Sequence, residues 1–207
     1  MAFQLTLNFG EDGANALSAA GMRVCVAQNV CKQPLANDIP PVAWICYAPS
    51  ASVSVLSWDD SYFIYESATS LTVGASIQIG TELAAQSGAS YTYTDGAFYI
   101  GQGSAPDHVD VVNNQSGGGL SFGLAQQVSV DNRLLLTPIN VAPVPFSHTA
   151  SFRAPNTLSV FVAACTGAGG IVLSQVPGNA CIVTFSPINN VAMNFSAETM
   201  AFSINHG

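Results

Sequence analysis

The stretch that decides the fold is Ala43 to Glu66, AWICYAPSASVSVLSWDDSYFIYE. Trp44 and Trp58 bracket a Pro49-Ser50 turn and two runs in which aliphatic or aromatic residues alternate with others. Alternation at every second residue is the period of a strand with one buried face, whereas an amphipathic helix repeats apolar residues at three- and four-residue steps. The same alternation recurs in Phe3-Gln-Leu-Thr-Leu-Asn-Phe9, at Val128 and Val130, at Val160 and Val162, and at Met200, Phe202 and Ile204. Turn residues separate these runs. Short strands recurring at intervals of roughly 8–12 residues predict an all-β fold, an antiparallel β-sandwich of two sheets.

Further along the chain, Tyr91-Thr-Tyr-Thr-Asp-Gly-Ala-Phe-Tyr-Ile100 predicts a hairpin about Asp95-Gly96, because a two-residue turn needs positive φ at its centre. That pairing puts Tyr91, Tyr93, Phe98 and Ile100 on one face, expected in the core, and Thr92, Thr94, Ala97 and Tyr99 on the other. Asn15 to Gly21 and Thr81 to Gln86 each suit one short helix. Leu134 to Phe146 carries Pro138, Pro143 and Pro145, which remove ladder donors, so it reads as an edge segment or a crossover. All 207 residues are expected in a single domain, without a boundary or internal repeat.

Composition excludes several classes of partner. Arg23, Lys32, Arg133 and Arg153 oppose twelve acids, and a phosphate backbone needs clustered cations to displace its counterions. Nucleic acid and anionic membranes are therefore unsuited partners. No apolar run approaches the ~18 residues of a membrane span. With 8% charged residues the surface must be covered by small polar side chains, which favours self-association as a homodimer. The first nine residues alternate like a strand and lack the basic and continuously apolar regions of a signal peptide, so a cytoplasmic location or unconventional export is expected. Five cysteines, Cys25, Cys31, Cys46, Cys165 and Cys181, show no CxxC spacing and are expected to be free, buried thiols.

Three groups of residues carry candidate chemistry. Trp44, Trp58, Asp59, Tyr62 and Tyr65 suit recognition of a small organic ligand: rings supply contact area at low entropic cost, and a carboxylate accepts from an NH or a sugar hydroxyl. Strand alternation sets Trp58, Asp60 and Tyr62 against Asp59, Ser61, Phe63 and Tyr65, so one aromatic set is expected in the core. Asp107, His108 and Asp110 form the densest run of metal ligands, able to hold a divalent cation such as Mg²⁺ or Ca²⁺ if another acid joins them; the alternative is a polar edge strand. Gly119-Leu-Ser121-Phe-Gly123 matches the GxSxG pattern of a nucleophile elbow, with Asp131 and His148 following in order. No helix can be read after it, so Ser121 is expected on a strand. His148 and His206 have no acids nearby in sequence.

A wider pattern runs through Ala43-Trp44, Ala48-Pro49, Val53, Trp58, Tyr62-Phe63 and Glu66, with Leu7-Asn8, Val24-Cys-Val-Ala-Gln28 and Gly119-Leu-Ser-Phe-Gly-Leu-Ala125. It resembles the rhizosphere-induced protein family of bacteria and its fungal relatives over most of the chain. The resemblance implies a cytosolic or non-classically exported β-sandwich with no settled enzymatic activity. It also points to a coloured branch in pink oyster mushrooms, a chromoprotein holding a small indolone-type pigment. The chain departs from the family at Asp59-Asp60, where small polar residues are expected. The resulting expectation is a non-catalytic protein holding a small aromatic pigment in an aromatic-lined site, with a structural divalent cation. A carbohydrate-binding lectin is the alternative, ahead of a pore-forming protein and a hydrolase acting through Ser121 or a cysteine.

Overall fold

The computed structural model describes residues 2–28, 31–33, 40–154, 156–186 and 188–205, with residues 31–33 described by backbone alone. Among them the chain forms eighteen strands and one short helix. The largest sheet runs in the order β11 (Arg133–Pro138), β10 (Ser121–Val130), β5 (Val53–Ser67), β1 (Ala2–Asn8), β17 (Asn190–Ser196), β18 (Ala201–Ile204). To it β12 (Ala142–Pro143) adds along β10 and β6 (Glu82–Ala84) along β5. A second sheet has the order β15 (Ile171–Val172), β4 (Val42–Tyr47), β2 (Arg23–Gln28), β14 (Thr157–Ala163), β16 (Cys181–Thr184). The third is β3 (Cys31–Gln33), β13 (Thr149–Arg153), β9 (Val109–Asn113), β7 (Ala89–Thr94), β8 (Ala97–Gly103). All ladders are antiparallel except β1 with β17 and β7 with β9.

The fold is sandwich-like, with its second layer split in two. Leu5, Leu56 and Leu124 of the large sheet share one buried cluster with Val24, Trp44 and Val160 of the second sheet and with Tyr91 and Val111 of the third. The two smaller sheets are halves of one bent ribbon. Strands β2 and β14 pair up to Gln28 and Leu158, and beyond the bend β3 and β13 pair from Cys31 and Arg153 onward.

Local sequence explains most of the details. Asp95 and Gly96 hold φ of 51° and 77°, the turn conformation the hairpin requires, and Tyr91 faces Ile100 while Tyr93 faces Phe98. Tyr91 and Tyr93 are buried, but Ile100 is 60% exposed, because β8 is the outermost strand of its sheet and runs past the core. That corrects the expectation for Ile100. The one helix, α1, spans Gly13–Ala19, two residues earlier than expected, and buries Leu17. Thr81 to Gln86 is not a helix: β6 pairs Leu83 with Ile64, and Thr81 and Ala85 also bond to β5 through their backbones. Those ladder bonds take the groups a single helical turn would use. The proline-rich interval is indeed an edge, as β11 and β12.

Strand β5 changes character along its length. From Val53 to Trp58, exposed and buried residues alternate. From Ile64 to Ser67 both faces are buried, Ile64 in the main core and Tyr65 in a smaller one with Val42, Ile77 and Val141. The single-core-face expectation therefore fails in this half. Between the halves the ladder to β10 slips: Trp58 pairs with Val128 and Tyr62 with Gln126, leaving Asp59, Asp60 and Ser61 opposite Gln127. A bulge of this kind bends its strand and leaves backbone groups without ladder partners.

Candidate functional site

The β5 bulge lies across from the bend in the ribbon, and the gap between them is a cleft of about 420 Å³. Asp60, Ser61 and Tyr62 of the bulge form one wall, and Phe152, Arg153 and Asn156, where β13 passes into β14, form another. Leu124 and Val109 supply apolar surface, and Asp107 a further acid. A narrow slot shares Tyr62 and Asn156 with the cleft and reaches Phe3, Gln28, Trp58 and Phe185.

Two glutamines hold this junction together. Gln126 is 1% exposed; its Nε2 donates to the carbonyl of Asp59 at 2.8 Å, satisfying an acceptor that the bulge removed from the ladder. Its Oε1 accepts from Nε2 of Gln28 at 2.5 Å, so the pair ties the large sheet to the bend of the ribbon. Trp44 adds an indole N–H to the Gln126 carbonyl at 3.5 Å. Gln28 is 7% exposed, and its Oε1 is buried without a hydrogen-bond partner. A buried amide oxygen left unpaired costs about 1–3 kcal/mol, which a donor on a bound molecule would recover.

Tyr62 extends the polar chain toward the mouth. Its hydroxyl lies beside the Asp60 carboxylate and the Gln126 amide. Burial first, then the Asp60 charge, hold it neutral well above the ordinary tyrosine range. Trp58 stacks on Phe3 at 5.7 Å and meets Phe185 edge-on at 5.1 Å, which gives the slot an aromatic wall of fixed geometry. Among the described residues, the linings of cleft and slot include no histidine and no cysteine. The slot has room for about one water-sized molecule, about 10 Å³, so a flat ligand would sit in the larger cleft against Tyr62 and Phe152, beside the polar groups of Asp60, Arg153 and Asn156.

The residues singled out from sequence are therefore divided. Trp58 and Tyr62 meet at the slot. Trp44 is fully enclosed in the main core, edge-on to Trp58 at 5.5 Å. Tyr65 is also enclosed, donating its hydroxyl to the Asn140 carbonyl at 2.6 Å. Neither can touch a ligand in the cleft. Asp59 is exposed and lines a different groove with Ala2, Gln127 and Leu134. It lies on the other side of β5 from Asp60, as strand alternation places it.

The expected metal set is not assembled. Asp107 lines the cleft, His108 bonds through Nδ1 to the Pro106 carbonyl at 2.9 Å, and Asp110 sits on β9 between Ser90 and Ser151. Among the described residues, just one group brings three ligand atoms within 4.8 Å of one another, and it is Cys25, Cys46 and Cys165. Asp107 has a left-handed φ of 62° and precedes β9, which carries Asp110.

The hydrolase constellation is also taken apart. Ser121 opens β10, buried, as expected for a strand residue. Asp131 lies just past the other end of that ten-residue strand, about 30 Å away at strand rise. Its carboxylate accepts from the Val55 N–H at 2.8 Å and the Ser54 hydroxyl at 3.0 Å. Gly123 serves packing: a Cβ there would strike the Asn140 carbonyl and the Tyr65 ring. His206 lies outside the described residues.

The cysteines differ from the expectation of free thiols. Cys46 and Cys165 are joined, Cys25 is free and buried, and Cys181 is free and half-buried. The side chain of Cys31 is outside the described set.

Sequence reasoning missed Gln28 and Gln126, although a signal was present. Gln28 follows Val24 and Val26, and Gln126 stands between Leu124 and Val128, so each is a polar residue at an inward position of a period-two strand. Among the described residues no helix is long and apolar enough to cross a membrane. Comparison with protein-family models, with curated proteins and with solved structures returned no match.

Proposed function

We propose that this protein binds a small, flat, aromatic molecule without transforming it, in the cleft between the β5 bulge and the bend of the facing ribbon. The observation that carries the reading is the unpaired Oε1 of Gln28, buried beside Trp58, Tyr62 and Phe185. A molecule lying in the cleft against Tyr62 and Phe152 with an N–H on its edge, as in an indolone-type pigment, offers the missing donor where the slot opens at Tyr62 and Asn156. This is the chemistry that the resemblance to the rhizosphere-induced proteins and their coloured branch leads one to expect. For Mg²⁺ or Ca²⁺ the cleft offers Asp107 of the expected set, with Asp60 in place of His108 and Asp110 as the second carboxylate lining it.

The test is absorption spectroscopy with native mass spectrometry on protein purified from its own source. Excess mass with visible absorbance, lost in Gln28→Leu and Tyr62→Ala while the fold is retained, supports the reading. A bare, colourless chain overturns the pigment assignment. The second reading is a lectin, favoured by the polar mouth of Asp60, Asp107 and Asn156, which suits sugar hydroxyls. Silence on a glycan array at high protein concentration eliminates it.

Homodimerisation and a cytoplasmic location complete the proposal. Val53, Val55 and Leu134 are exposed on strands of the large sheet, and a face so poor in charge can be buried without stranding ions. The native mass spectrum counts the subunits directly.

A further inference from the structure

Away from the cleft, three of the five cysteines meet on the outer face of the second sheet. Cys25 on β2 stands directly opposite Cys46 on β4 in the antiparallel ladder, which places the two side chains together on one face. Cys165 comes from the loop after β14, and this loop is stitched down beside them. Ala168 accepts from the Cys46 N–H at 3.0 Å, Gly170 donates to the Trp44 carbonyl at 3.3 Å, and Arg23 donates to the Gly167 carbonyl at 3.0 Å. A Cβ at position 169 would strike the Trp44 carbonyl, so the close approach of this loop to β4 requires glycine there. The three sulfurs are thus held by paired backbone on every side.

Their mutual arrangement is informative. The Cys25 Sγ lies 3.0 Å from that of Cys46 and 3.4 Å from that of Cys165. A thiol poised for disulfide exchange stands in line with the bond it attacks, so its distances to the two sulfurs differ by about 2 Å, one bond length. Here the distances are nearly equal, and Cys25 sits beside the bridge as the third corner of a triangle. The Cα atoms of Cys46 and Cys165 are 7.2 Å apart, wider than the usual span of a disulfide, about 4.4–6.8 Å. Sulfurs placed around one ion at about 2.3 Å stand roughly 4 Å from each other, a separation such a backbone spacing accommodates.

We propose that, once a dithiol or phosphine reductant has opened the Cys46–Cys165 bridge, Cys25, Cys46 and Cys165 form a three-thiolate site for a thiophilic d¹⁰ cation, Zn²⁺ or Cu⁺. The reductant takes up the oxidising equivalents and leaves two thiols. Ion uptake then forms three metal–sulfur bonds and releases three thiol protons, with no electron transferred. Three soft donors, with no oxygen or nitrogen ligand grouped with them among the described residues, select against Mg²⁺ and Ca²⁺. Arg23, two residues before Cys25 on β2, places a positive charge on the same side of the strand as the cluster. A groove of about 610 Å³, lined by Cys165, Thr166, Phe161 and Leu173, gives an entry path and room for an exogenous fourth ligand on Zn²⁺.

The experiment uses the full chain, reduced with a phosphine under anaerobic conditions and titrated in separate arms with Co²⁺, as the coloured probe of a zinc site, and with Cu⁺. One ion per chain by native mass spectrometry is expected, with thiolate-to-cobalt charge-transfer absorption in the Co²⁺ arm. Cys165→Ser should weaken uptake by about 100-fold or more, and Cys181→Ser should leave it unchanged. The bound ion should also protect Cys25, Cys46 and Cys165 from alkylation in the unmutated chain while Cys181 reacts, a readout that needs no variant to fold. Absence of uptake in both arms, or uptake without protection of these three cysteines, overturns the proposal. The cleft is not involved, so neither result bears on the ligand reading.

Discussion

The two halves of strand β5 obey different rules. The first, Val53 to Trp58, alternates and leaves one face to solvent; the second, Ile64 to Ser67, is enclosed on both faces by two separate cores. One regular ladder could not serve both environments, and the slip at Asp59-Asp60-Ser61 is where the strand passes from one to the other. The cost of that passage is a set of polar groups without ladder partners. Gln126, Gln28 and Tyr62 gather around them, and the cleft opens at the same point. The proposed recognition site therefore lies between the two packing regimes and not in the aromatic run as a whole.

The contrast can be broken most forcefully in the enclosed region. Trp44→Ala should destabilise the fold by about 3–5 kcal/mol in urea unfolding, because it empties a large volume in a core that cannot collapse around it. Removing the plug of the bulge is less severe. Gln126→Leu leaves the Asp59 carbonyl and the Gln28 amide without their partner, and a loss of about 1–3 kcal/mol is expected in the same measurement.

Alkaline titration sharpens the comparison further. Burial raises the hydroxyls of Tyr47, Tyr62 and Tyr65 above the ordinary value, so the folded state keeps protons that the unfolded state gives up. Their contribution to stability is fully present below about pH 10 and is lost as pH rises through the folded values. Tyrosinate absorbance should therefore appear together with unfolding for these three residues. Simple titration of all six tyrosines ahead of unfolding would contradict their burial. Smallest of all, Ile100→Thr, at an exposed edge position, should change stability by no more than about 0.5 kcal/mol.

Period-two alternation made the strand content readable, the Asp95-Gly96 turn the hairpin and three prolines the edge, because each depends on neighbours within a few residues. The split second layer did not show itself, since a ribbon that bends at Gln28 and Leu158 keeps the same alternation on either side of the bend. Of the site, Trp58 and Tyr62 were legible as aromatics beside carboxylates. Trp44 and Tyr65 looked equivalent to them, yet a register slip and a second small core decide which rings are accessible, and both come from distant strands. The cysteine triangle was hidden for the same reason: Cys165 is separated from Cys46 by 119 residues and reaches it through a loop bonded to β4.

The most direct test of the central claim is ligand retention in Tyr62→Ala set beside Asp59→Asn, by native mass spectrometry on folded protein from its own source. Asp59 and Tyr62 belong to the same bulged segment but open onto different grooves. Bound mass is expected in the wild type and in Asp59→Asn, with none in Tyr62→Ala. Bound mass that survives Tyr62→Ala, or that disappears with Asp59→Asn, contradicts the placement of the site at the cleft.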